Sequence, residues 1–150
     1  MNTNQIEKEI VLQASVSRVW RALTSHIEFG QWFLVRIDGP FVVGKLSSGM
    51  STYPGQETKP WRSTIKAMEP ETYFAYSWHP YNTDETRDYS KEPENLVEFR
   101  LKAVTGGTLL TVRETGFDSI PPERRDVAYR RHEGGWTEQM TNIQTYVAKN

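Results

Sequence analysis

The chain has 150 residues, of which 37% are hydrophobic and 25% are charged, and its formal net charge is -1. This length predicts one domain over residues 1–150, and the near-neutral charge argues against nucleic acid as a partner. Because the chain has no cysteine, disulfide bonds, thiolate metal ligands and a cysteine nucleophile are excluded. No apolar run reaches membrane-spanning length and residues 1–9 are polar, so we expect a cytoplasmic protein without membrane insertion.

A strand followed by two short helices is predicted at the start of the chain. Residues 6–12 alternate loosely between apolar and charged side chains, as in a half-buried strand. Ser15 is placed to cap a first helix, and the capping-box spacing of Ser25 and Glu28 indicates that a second helix begins there. The apolar residues of the two helices are Val16, Val19, Trp20 and Leu23, then Ile27, Phe29, Trp32 and Phe33.

Six further strands are predicted because glycine and proline interrupt the chain at short intervals from residue 35 onward, as in an antiparallel meander. We place these strands at residues 35–38, 43–52, 61–69, 73–79, 96–104 and 108–117. Thr105, Gly106 and Gly107 separate the last two strands and predict a tight hairpin. The polar residues 80–95 predict a long exposed loop.

One long helix is predicted over residues 121–148. Its buried stripe repeats at alternating steps of three and four residues, through Tyr129, His132, Trp136, Met140, Ile143 and Val147. The opposite, solvent-facing side carries Arg124, Arg130, Arg131, Glu138 and Lys149. The element order gives an α+β fold with an antiparallel sheet, since strands and helices do not alternate as they do in parallel sheets.

Two features within these elements need a structural or functional explanation. Alternation with Leu110 and Val112 directs the Glu114 carboxylate to the interior, where it needs a partner. A contact between Glu114 and His132 would satisfy both groups, with a purely structural hydrogen bond as the alternative. Gly134 and Gly135 interrupt the long helix, which predicts a notch where the sheet or a neighbouring subunit packs closely or, alternatively, where a ligand approaches.

Four segments resemble the START-like (SRPBCC, birch-pollen-allergen) superfamily, and within it the bacterial proteins related to the C-terminal domain of the activator of heat-shock protein 90 ATPase. They are residues 14–33 (ASVSRVWRALTSHIEFGQWF), 73–78 (YFAYSW), 107–118 (GTLLTVRETGFD) and 132–147 (HEGGWTEQMTNIQTYV). The resemblance implies a helix-grip fold, in which a curved antiparallel sheet wraps around the long C-terminal helix. It also implies an apolar cavity between the two.

The function that we expect from this resemblance is binding of a small hydrophobic molecule in that cavity. The aromatic residues come from different elements, and they would either line the cavity or fill the core. The candidate ligand-binding residues are Trp20, Trp32, Trp61, Tyr76, Trp78, Phe99, Glu114, Tyr129, His132, Trp136 and Met140, with Tyr53 as additional lining.

Other activities have less support in the sequence. The three histidines are far apart and no phosphate-binding glycine motif occurs, so we expect neither a metal nor a cofactor. No nucleophile with an adjacent base can be named, so no catalytic residue is assigned. Two alternatives remain: a cyclase, dehydratase or hydrolase that uses Glu114 or His132, and co-chaperone binding to a heat-shock protein 90 homologue, which the resemblance alone suggests. The resemblance also suggests a homodimer.

Overall fold

The computed structural model describes residues 4–80 and 88–149, and the element order within them agrees with the prediction. Seven strands and three α-helices form an α+β helix-grip fold. The elements in chain order are β1 (Gln5–Leu12), α1 (Val16–Thr24), α2 (His26–Phe33), β2 (Val35–Ile37), β3 (Leu46–Ser51), β4 (Pro60–Glu69), β5 (Tyr73–Trp78), β6 (Asn95–Val104), β7 (Gly107–Thr115) and α3 (Pro122–Lys149).

Both predicted caps at the start of the chain are present. The Ser15 hydroxyl accepts from the Arg18 amide at the start of α1, and the Ser25 hydroxyl accepts from the Glu28 amide at the start of α2. The second half of the predicted capping box is wrong, because the Glu28 carboxylate accepts from the Arg18 and Arg21 guanidinium groups instead. A carboxylate makes charge-assisted hydrogen bonds to both kinds of donor, backbone amide and guanidinium, and the guanidinium groups add the attraction between opposite charges.

All strands lie in one antiparallel sheet in the order β1-β7-β6-β5-β4-β3-β2. The predicted hairpin joins β6 to β7 through Thr105 and Gly106, with Val104 paired to Gly107. The predicted strand over residues 43–52 is shorter than expected and begins only at Leu46. Part of the predicted loop over residues 80–95, namely 81–87, lies outside the described residues, and most of residues 88–94 are exposed. The prediction is wrong for Asn95, which is buried as the first residue of β6.

Helix α3 packs against the inner face of the sheet through the predicted stripe, of which Trp136, Met140, Ile143 and Val147 are buried. One prediction about its other side is wrong. Arg124 does not face solvent, because its guanidinium pairs with Glu92 at 2.7 Å and its side chain is only 11% exposed. Within the described parts of the chain, no helix combines the length and the apolar character that crossing a membrane requires.

Candidate functional site

The predicted buried carboxylate lies where three strand ends meet at one edge of the sheet. Trp78, the last residue of β5, pairs with Asn95, the first residue of β6, and Glu114 near the end of β7 pairs with Val97. Gly116 lets the chain pass close to Asn95, because a Cβ atom at this position would lie 2.5 Å from the Asn95 side-chain oxygen. The sheet register therefore places an indole, an amide and a carboxylate next to one another.

Four side-chain donors satisfy the Glu114 carboxylate, which is fully buried. Its Oε1 accepts from His132 Nδ1 at 2.6 Å and from Trp136 Nε1 at 2.8 Å. Its Oε2 accepts from Trp78 Nε1 at 2.8 Å and from Asn95 Nδ2 at 3.1 Å. His132 and Trp136 are four residues apart on α3, so both face the sheet from one side of the helix. The predicted contact between Glu114 and His132 is confirmed.

These contacts keep the carboxylate ionised. Burial alone raises the pKa of Glu114. The hydrogen bond from His132, the positive charge of His132 when both of its ring nitrogens are protonated, and then the bonds from Trp136 and Trp78 outweigh burial and hold the pKa below the usual 4.5. An ionised carboxylate can only accept hydrogen bonds, so each of its partners must donate. His132 therefore carries a proton on Nδ1.

A cleft of about 230 Å³, here called the α3 cleft, opens to solvent beside this carboxylate. Among its lining residues, Trp136 is buried and Tyr53, Arg131 and Glu138 are exposed at the rim. The partly buried lining residues are Phe33, Trp78, His132, Gly135 and Gln139. The rings of Trp78 and Trp136 lie 6.0 Å apart at 33°, and that of Phe33 lies 6.0 Å from Trp136. The indole N–H groups are bound to Glu114, so the two tryptophans present mainly apolar ring surface.

The predicted close packing of the sheet against the helix glycines is wrong. A Cβ atom added to Gly134 or Gly135 would meet no neighbouring heavy atom within 4 Å, so no other part of the described protein packs there. Gly135 lines the α3 cleft, whereas Gly134 does not. At Gly135, the absence of a side chain widens the cleft.

The eleven predicted ligand-binding residues separate into two groups. Trp78, His132 and Trp136 line the α3 cleft, and Trp61 lines an adjoining cavity of about 290 Å³ together with Phe33 and Tyr53. The others line neither cavity: Trp20, Trp32, Tyr76, Phe99, Glu114, Tyr129 and Met140. The sequence left open whether the aromatic residues fill the core or line a cavity. In the structure most of them fill the core, and a few border a cleft.

The residues of the second group have structural partners. The Trp32 indole donates to the Ala22 carbonyl at 2.8 Å, and the Tyr129 hydroxyl donates to the Gln5 carbonyl at 3.1 Å. Tyr76 is completely buried, with its ring 5.2 Å from that of Trp78. Met140 belongs to the core and Trp20 packs against it. The Phe99 ring contacts the Trp136 ring, and Glu114 binds the Trp136 indole as described above.

Sequence reasoning missed several cleft residues. Arg131 and Glu138 belong to the predicted solvent side of α3, and Gln139 is not among the predicted site residues. These residues directly flank the buried stripe at His132 and Trp136, which is the signal that could have identified the rim. Phe33 was assigned to the second helix only as an apolar residue. It lines the cleft from the last turn of α2, directly before Leu34, whose backbone is left-handed with φ 66°.

The family of Activator of Hsp90 ATPase homolog 1-like proteins matches residues 13–148. A protein from Mesorhizobium loti has a similar structure with a TM-score of 0.77 and 21% identity, over 97% of this chain and 98% of that chain. One from Rhodobacter sphaeroides has a TM-score of 0.73 and 22% identity over 99% and 95%. One from Arthrobacter aurescens has a TM-score of 0.79 and 13% identity over 100% and 90%. No curated protein matches this chain.

These structural similarities, all below 25% identity, concern the fold. The family match covers most of the chain, including α1, α2, the sheet strands from β2 to β7, and almost all of α3. The chain therefore belongs to the family of Activator of Hsp90 ATPase homolog 1-like proteins.

Proposed function

We propose that this protein binds a small hydrophobic molecule in the α3 cleft. The observation that supports this most directly is the orientation of Trp78 and Trp136, which donate their N–H groups to Glu114 and leave ring surface toward the cleft. Ligand sites in proteins combine such apolar lining with a few polar groups. A cleft of about 230 Å³ is smaller than the sites of drug-sized ligands, which favours a molecule of one or two rings.

A titration of tryptophan fluorescence with fatty acids, sterols and small aromatic compounds tests this proposal. Quenching by at least one compound is expected because two of the five tryptophans line the cleft. Gly135→Leu should weaken binding at least tenfold, because its side chain enters the cleft. Gly134→Leu is the matched control, since Gly134 is the neighbouring residue of the same helix and does not line the cleft.

The two substitutions give a clear contrary result. If no compound of the panel quenches the fluorescence, the proposal is wrong. If Gly134→Leu and Gly135→Leu weaken binding equally, the ligand lies elsewhere. Native mass spectrometry of the purified protein adds an independent measurement, because a retained ligand would appear as a mass increment that denaturation removes.

An acid–base role for Glu114 is not favoured by the geometry. Both carboxylate oxygens already accept two hydrogen bonds, and the side chain has no exposed surface through which it could contact a substrate. A general acid or base must come within hydrogen-bonding distance of the proton that it transfers. We therefore assign Glu114 a positioning role toward His132, Trp78 and Trp136.

The remaining expectations about partners stay predictions. The family description names an ATPase activator, and stimulation of a heat-shock protein 90 homologue's ATPase at micromolar concentration of this protein would support a co-chaperone role. Sedimentation analysis would test for the homodimer. Fractionation of cells would test the cytoplasmic location.

A further inference from the structure

We propose that the α3 cleft accepts ligands with an acidic hydroxyl group, such as a phenol or an enol, and that His132 Nε2 takes up the hydroxyl proton. This inference rests on the ligand-binding function proposed above and specifies the chemical class of the ligand. It is carried by the orientation of the imidazole between a buried carboxylate and the cleft.

The orientation of the imidazole follows from its contact with Glu114. Nδ1 donates to the Glu114 carboxylate at 2.6 Å, and the side chain of His132 is 18% exposed where it lines the cleft. In a neutral imidazole with the proton on Nδ1, Nε2 carries the free electron pair. Among the described residues, no side chain or backbone group hydrogen-bonds Nε2. The cleft is therefore provided with one basic nitrogen in a fixed tautomer.

The proton transfer is balanced by the groups already present. The O–H bond of the ligand breaks, the proton binds Nε2, and the products are an oxyanion and an imidazolium ion with both nitrogens protonated. The hydrogen bond from Nδ1 to Glu114 is kept during the transfer, because Nδ1 carries a proton in both the imidazole and the imidazolium. The new Nε2–H can then donate to the oxyanion, which is a charge-assisted hydrogen bond.

The other charged and titratable groups around the cleft are compatible with an anion. Arg131 lies on the rim from α3 and contributes positive charge, while Glu138 lies farther along the same helix and accepts from the Tyr53 hydroxyl at 3.2 Å. Tyr76 lies behind Trp78, and burial followed by the charge of Glu114 raises its pKa well above the usual 10.0. Tyr76 therefore stays neutral and adds no negative charge to those of Glu114 and Glu138.

The aromatic lining matches a planar ligand. The Trp78 ring lies 5.6 Å from the His132 ring and 6.2 Å from the Phe33 ring, so a flat ring that contacts these side chains is close to the imidazole. An aliphatic chain would gain burial from the same surfaces, but it would not use the basic nitrogen. A phenol and its methyl ether differ in the same respect, because only the phenol has a proton that the basic nitrogen can take up. The affinities of the two compounds can therefore be compared directly.

The test uses 4-nitrophenol, whose phenolate form has a distinct visible absorbance band, and 4-nitroanisole, its methyl ether without a transferable proton. Binding is measured by tryptophan quenching, and protonation by absorbance at a pH one unit below the probe's own pKa. The wild-type protein should bind 4-nitrophenol with its apparent pKa lowered by about 1–3 units, as expected for a phenolate beside a positive charge. It should bind 4-nitroanisole at least tenfold more weakly.

His132→Gln is the variant of choice, because an amide can still donate to Glu114 and keep the buried carboxylate satisfied. In this variant the phenolate band should disappear and the affinity ratio of the two probes should fall toward one. The wild-type absorbance measurement stands independently if the variant does not fold.

Each other result overturns the inference. If both probes bind the wild-type protein equally and 4-nitrophenol stays protonated, the proton-acceptor role of His132 is wrong while ligand binding stands. If the phenolate band persists in His132→Gln, another group such as Arg131 stabilises the anion. If neither probe binds but fatty acids or sterols do, the cleft selects aliphatic ligands. If no compound binds, the ligand-binding function fails together with this inference.

Discussion

Replacing Glu114 with glutamine tests whether the buried carboxylate organises this end of the fold. The wild-type carboxylate accepts from two indoles, one imidazole and one amide. A glutamine has one acceptor oxygen and one donor nitrogen at nearly the same volume, so the change alters hydrogen bonding rather than packing.

The cost can be derived from the four contacts. If the amide nitrogen replaces Oε1, His132 can change tautomer and accept from it, but the Trp136 N–H then faces another donor. If the nitrogen replaces Oε2, the Trp78 N–H and the Asn95 amide face it instead. A buried donor without a partner costs about 1–3 kcal/mol, and the remaining bonds lose their charge-assisted part. We therefore expect the free energy of unfolding to fall by about 2–3 kcal/mol.

Urea unfolding, monitored by circular dichroism, measures this change. Glu7→Gln on the adjacent strand β1 is the matched control, since its ion pair with Arg113 is solvent-exposed and should contribute no more than about 0.5 kcal/mol. A loss below about 0.5 kcal/mol for Glu114→Gln would refute the reasoning, because the four donors would then find other partners at little cost.

Further predictions concern pH and the helix glycines. Because the pKa of Glu114 in the fold lies below the usual 4.5, its contribution to stability is complete above pH 4.5 and is lost as the pH falls through the folded value. The stability difference between wild type and Glu114→Gln should therefore narrow below pH 4.5, and a constant difference down to pH 2 would contradict this. Gly134→Ala and Gly135→Ala should each stabilise the protein by about 1 kcal/mol, since the new Cβ atoms meet no neighbour. Gly30→Ala in α2 should destabilise the protein, because the new Cβ atom would lie 2.2 Å from the Val35 carbonyl oxygen. Thermal unfolding should therefore give midpoints above that of the wild type for the two α3 variants and below it for Gly30→Ala, and any other order would refute the predictions.

Local patterns predicted most of the fold because each depends on neighbouring residues in the chain. The Ser15 and Ser25 caps, the Gly106–Gly107 hairpin and the stripe of α3 all involve steps of four residues or fewer. The environment of Arg124 could not be predicted in this way. Its partner Glu92 is 32 residues distant in sequence, and only the tertiary structure brings the two together.

The candidate site was predicted in part. Alternation in β7 and the stripe of α3 were sufficient to bring Glu114 and His132 together, because both patterns define a buried face. They did not reveal the donors Trp78 and Asn95, whose proximity depends on the register of β5 against β6. The glycines of α3 were misinterpreted because a missing side chain is compatible with close packing and with empty space, and sequence does not distinguish between them.

The most direct test of the account is a titration with the compound, among the fatty acids, sterols and small aromatic compounds, that quenches tryptophan fluorescence at the lowest concentration, observed through the tryptophan indole N–H resonances. Trp78 and Trp136 line the α3 cleft, whereas the indole of Trp32 is buried and donates to the Ala22 carbonyl. The resonances of Trp78 and Trp136 should shift with a common dissociation constant, and that of Trp32 should stay in place. Shifts confined to other tryptophans, or none at all up to the solubility limit of the probe, would contradict ligand binding between the sheet and α3.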